Sequence, residues 1–164
     1  MAENSSGGKA KTIHFTINSV EKSIEIDPNK LLLDYLRESG LKSVKSGCRE
    51  GDCGMCTVLI NGVPTNSCLI KVGTIEGKKI ETLESLGTPA NLHPLQQSFL
   101  ETGAIQCGFC TPAQILTAKA LLDKNPRPTE LEVREGLASV MCRCTGYVRI
   151  VDAVMRAAAR LRGE

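Results

Sequence analysis

Eight cysteines carry the chemistry this sequence can do: Cys48, Cys53, Cys56, Cys68, Cys107, Cys110, Cys142 and Cys144. Three of them fall in the eleven residues Ser46–Cys56, SGCREGDCGMC, together with Gly47, Gly51 and Gly54. Thiolates bind soft metals or pair as disulfides. The N-terminal residues MAENSSGGKAK are polar and contain neither an apolar export segment nor a twin arginine. A cytoplasmic location is therefore expected, and in a reducing cytosol metal ligation is favoured over disulfides.

The spacing narrows the metal. Cys48-x4-Cys53-x2-Cys56 followed by Cys68 is the arrangement that holds a [2Fe–2S] cluster in plant-type ferredoxins. Structural zinc more often uses paired Cys-x2–4-Cys knuckles. Such a cluster with four thiolates is a dianion when oxidised and a trianion when reduced. It needs donors close by, and glycines let backbone N–H groups turn inward where side chains would not fit. Arg49 and Lys45 are candidates for favouring the extra electron, or are plain solvated loop charges. The other thiols form Cys107-x2-Cys110 and Cys142-x-Cys144, each just before an expected helix start, at Thr111 and Thr145. Two helix N-termini would then face one tetrathiolate site, where their partial positive charge suits an anion. On spacing alone this second site is a second cluster or a structural zinc.

The elements that must position these thiols divide the chain in two. Residues 1–11 read as a disordered arm. Ile13, Phe15 and Ile17, then Ile24 and Ile26, alternate with polar residues as a β-hairpin does. Residues 31–38, LLLDYLRE, form a short helix ending before Gly40. Asn61-Gly62 between apolar runs marks a second hairpin, with Cys68 on or near its returning strand, and a last strand is expected over 80–83. This describes a ferredoxin-like β-grasp unit over 12–87. The character changes near 85–90, and 88–164 is expected to hold four helices, for an α+β chain overall. Pro94 starts the first, with Leu95 and Phe99 on one face. Thr111 with Gln114 and Thr129 with Glu132 form capping boxes. Val133, Leu137 and Val140 follow helical spacing. Thr145 caps the last helix, whose face is Ile150, Val154, Ala157 and Leu161.

Composition excludes several functions. The 164 residues are 41% apolar but only 3% aromatic, a thin core that bound metal would help to hold. The formal net charge of +2 comes from interspersed charges, which does not suit a nucleic-acid binder. No apolar run approaches the roughly 20 residues of a membrane span. His14 and His93 read as surface or capping residues, and no catalytic residue is expected.

Cys48-x4-Cys53-x2-Cys56-x11-Cys68, then QCGFCTP (106–112) and CRCTGY (142–147), resembles the iron–sulfur subunit of the molybdenum hydroxylases. These are the xanthine dehydrogenase, aldehyde oxidoreductase and carbon monoxide dehydrogenase group, and the likeness spans about residues 12–160. The resemblance implies an electron-transfer subunit with two [2Fe–2S] clusters. It implies a large partner subunit holding molybdopterin and another subunit or domain holding FAD. It places the cluster of Cys107, Cys110, Cys142 and Cys144 nearest the pterin, and that of Cys48, Cys53, Cys56 and Cys68 toward the flavin. Gln106 matches a glutamine that hydrogen-bonds the pterin, and backbone groups near Cys144 would also meet it. Ala113 stands where the family usually has Gly, and Ser139-Val140 where Gly-Asn is common. Phe109 and Tyr147 read as packing residues. The rival functions are a free-standing ferredoxin-like carrier and a zinc-stabilised interaction module.

Overall fold

The structure, a computed structural model, describes residues 9–164. Residues 1–8 of the expected arm lie outside that range, and Lys11 already belongs to a strand. Strands β1 (Lys11–Ile17) and β2 (Val20–Ile26) form the first hairpin, turning at Asn18 and Ser19, both left-handed. Its inward residues Ile13, Phe15 and Ile17 are buried, as their alternation requires. Helix α1 (Leu32–Glu38) buries Leu32, Leu33 and Leu36 against that face, and Gly40 follows it at positive φ.

Strands β3 (Thr57–Ile60) and β4 (Val63–Asn66) make the second hairpin around Asn61-Gly62, both residues at positive φ, which the tight turn demands. Strand β5 (Lys79–Glu81) lies between the two hairpins, parallel to β1 and antiparallel to β3. The sheet order is β2-β1-β5-β3-β4. Cys68 lies in a short 3-10 turn just past β4.

Four helices follow: α2 (Pro94–Glu101), α3 (Thr111–Lys124), α4 (Glu130–Leu137) and α5 (Val148–Leu161). Their core gathers Leu95, Phe99, Ile115, Val133, Leu137, Ile150 and Val154. The box at Thr129 and Glu132 forms as expected, and His93 caps α2 by accepting from Leu95 N–H. Three expectations are corrected. Thr111 is the first residue of α3 and makes no box, because Cys110 takes the cap position and the Gln114 side chain is used elsewhere. α5 begins after Tyr147, not at Thr145. Leu161, the last residue of α5, is exposed. The two units meet where Leu59 of β3 packs on Leu116 and Ala120 of α3.

Candidate metal centres

The loop 46–56 runs from α1 to β3 and turns back on itself through left-handed residues at Arg49, Gly51 and Gly54. Those turns aim backbone N–H groups at sulfur. Glu50 N and Cys53 N each donate to Cys48 Sγ at 3.4 Å, and Cys48 N donates to Cys53 Sγ at 3.3 Å. A Cβ on Gly47 would stand 2.7 Å from Cys53 Sγ, so only glycine leaves room there. The donors from Glu50 and Cys53 favour the thiolate and pull Cys48 down to about 7. Cys68 is pushed up to about 11 by burial and by the Cys56 thiol beside it. The thiols thus pair two by two: exposed Cys48 with Cys53, buried Cys56 with Cys68.

Arg49 is no free loop charge. Its guanidinium grips Asp34 of α1 with two hydrogen bonds, 2.8 Å and 2.7 Å, and holds that carboxyl below its usual range. Asn66 on β4 donates to Gly51 O at 2.6 Å, tying the loop to the second hairpin.

The other four thiols gather at the N-terminal end of α3. Cys110 pairs with Cys142 and Cys107 with Cys144. Burial, with the Cys142 thiol beside it, pushes Cys110 up to about 12. Burial opposes charge on Cys142 as well, but the Thr145 hydroxyl, 3.1 Å from its sulfur, and nearby N–H groups bring it below its ordinary value. Thr145 therefore serves a thiol where a helix cap was expected. Tyr147, read as packing, bonds the site directly: its hydroxyl accepts from Cys142 N–H at 2.7 Å. To reach it, Tyr147 adopts a left-handed φ of 67°. Its distinguishing signal in the sequence was only its place after Cys-Thr-Gly.

Gln106 and Cys107 are exposed side by side, and Gln106 makes no side-chain hydrogen bond to the described residues. Phe109, Met141, Tyr147 and Val148, neighbours in sequence of these thiols, are exposed as well. The two thiol sets are joined directly. Met141 N–H donates to Cys53 O at 3.0 Å, one residue before Cys142.

Among the described residues, no three His, Cys, Asp or Glu side chains converge on a point that would hold a single ion. Thiols arranged as two pairs suit a two-iron rhomb, in which each iron takes two thiolates. The inward N–H groups suit its negative sulfur atoms. The residues present therefore fit a [2Fe–2S] cluster at each place.

Comparison with known proteins agrees. Residues 15–81 match the 2Fe-2S iron-sulfur cluster binding domain family, and residues 82–155 match the [2Fe-2S] binding domain family. The nicotinate dehydrogenase small FeS subunit of Eubacterium barkeri is 51% identical over 150 residues, 91% of this chain and 96% of that one. The aldehyde oxidoreductase of Desulfovibrio desulfuricans superposes with a TM-score of 0.92 at 47% identity, covering 94% of this chain but 17% of that longer one. Quinoline 2-oxidoreductase from Pseudomonas putida 86 gives 0.88 at 43% identity, covering 96% of this chain and 99% of the matched chain. Fold and site define a two-cluster iron–sulfur protein whose task is electron transfer. The chain belongs to the family of iron–sulfur subunits of the molybdenum hydroxylases, and so to an oxidoreductase.

Proposed function

We propose that residues 12–87 and 88–164 each hold one cluster and that the chain works as the electron-transfer subunit between a molybdopterin-bearing large subunit and a flavin subunit. Cys48, Cys53, Cys56 and Cys68 hold the first cluster; Cys107, Cys110, Cys142 and Cys144 hold the second. When bound, the clusters supply one-electron carriers between a molybdenum site in the large partner and FAD or another acceptor. The residues of this chain bind, orient and shield. Buried Cys56, Cys68 and Cys110 exclude water from one side of each site, while Cys48, Cys107 and Cys144 leave the other side open to partners. Gln106 and the backbone at Cys144 face the pterin. The large partner covers the exposed Phe109, Met141, Tyr147 and Val148. A freely diffusing carrier would instead present a charged docking face around this site.

The observation that carries this reading is the two-by-two pairing of thiols at two places linked by the Met141–Cys53 hydrogen bond. Iron and acid-labile sulfide analysis of anaerobically purified protein should find about four of each per chain. Partial reduction should give two resolvable electron paramagnetic resonance signals. One signal, half the iron and stoichiometric zinc would instead make the helical thiols a structural zinc site. The substrate class lies with the partner. Nicotinate, aldehyde and quinoline, the substrates in the relatives' names, form the first panel for the purified complex.

A further inference from the structure

Gln114 lies in the first turn of α3 and is fully buried. Its backbone N–H donates to Cys110 O at 3.0 Å, an ordinary helical bond. Its side-chain Nε2 crosses to Val140 O at 2.8 Å. One residue is thus tied by its main chain to the turn bearing Cys107 and Cys110, and by its side chain to the segment leading into Cys142.

That segment, residues 139–141, meets the first thiol loop as well. Met141 N–H donates to Cys53 O. The Ser139 carbonyl presses on Gly54, where a Cβ would stand only 2.2 Å from it. Among the described residues, Gln114 is the one side chain that hydrogen-bonds this segment. Packing does not account for an amide here. Gln114 Oε1 is buried with no partner, and so is Thr117 Oγ1 one turn on. A methionine would fill the same length without desolvating an amide.

We propose that Gln114 is a positioning residue: its amide fixes residues 139–142 and through them the placement of the second cluster relative to the first. The proposal rests on the reading that both thiol sets hold [2Fe–2S] clusters. Gln114 is none of the eight thiols and acts through the Val140 carbonyl.

The test compares the full wild-type chain with Gln114→Met, both loaded and assayed for iron. A wild-type chain with a single cluster overturns the functional reading and this proposal together. With two clusters present, the variant decides. Gln114→Met should keep both clusters, alter the line shape of the second signal, and change the spin–spin splitting when both clusters are reduced. Deuterium exchange at the Met141 amide should quicken roughly tenfold. Wild-type line shape, splitting and exchange in Gln114→Met would overturn the proposal. Should that variant fail to fold, Gly54→Ala displaces the same segment from the opposite side. The second signal must then change although no residue of the helical unit is altered, and an unchanged second signal overturns the proposal.

Discussion

At the scale of single residues, the thiols differ by environment more than by type. Cys48 sits in a fan of backbone donors at the surface, while Cys110 is buried against another thiol. In the cluster-free chain a reactive thiolate therefore appears at Cys48 as pH rises through about 7, well before Cys110, whose value is about 12. Iodoacetamide near neutral pH should label Cys48 before Cys110, read by peptide mass; the reverse order would contradict the loop geometry. Arg49 is a second case. Its charge is balanced by Asp34. Asp34→Asn removes the anion and leaves the cation, so the first cluster should become easier to reduce by a few tens of millivolts, the order of a screened unit charge. A redox titration that finds an unchanged or lower potential contradicts this. All eight ligand candidates were legible because thiols at fixed intervals are sparse and chemically distinct. Gln114 was misread as the N3 partner of a capping box because its local pattern, Thr-Pro-x-Gln, is a true capping signal. The Val140 carbonyl that claims its side chain is 26 residues away.

At the scale of elements, local rules worked where local contacts decide. Alternation and Asn61-Gly62 gave both hairpins, and Thr129 with Glu132 gave the start of α4. That box is reciprocal: Glu132 N–H donates to Thr129 Oγ1, and Thr129 N–H donates to Glu132 Oε2. Thr129→Ala should cost about 1 kcal/mol, a fall of roughly 2–4 °C in the melting temperature for a chain of this size. No shift in the loaded protein would mean that tertiary packing alone sets the start of α4. The last strand was harder to read. β5 has three residues, and its partners in β1 lie more than sixty positions earlier, so its bounds came from pairing that no local window contains. The start of α5 was misplaced because Thr145 is drawn to the Cys142 sulfur and to Tyr147 N–H.

At the scale of the whole molecule, the chain exposes Phe109, Met141, Tyr147 and Val148, all close in sequence to the second thiol set, and no helix among the described residues is long and apolar enough to cross a membrane. Tagged in its host, the chain should co-purify with a molybdenum-containing large subunit over an interface on the order of 2,000 Å² or more. A stable monomer carrying both clusters and binding no such protein would contradict the subunit reading. The sheet order has one more consequence, for synthesis. β5 inserts between β1 and β3, so the first hairpin waits on the ribosome until residue 81 has emerged before the sheet can close. Cys48, Cys53, Cys56 and Cys68 are all made by then, but the seam to Met141 needs sixty more residues. The first metal-binding pocket can therefore mature as a nascent chain, whereas the second must await nearly complete translation, and non-local closure of this kind is slow.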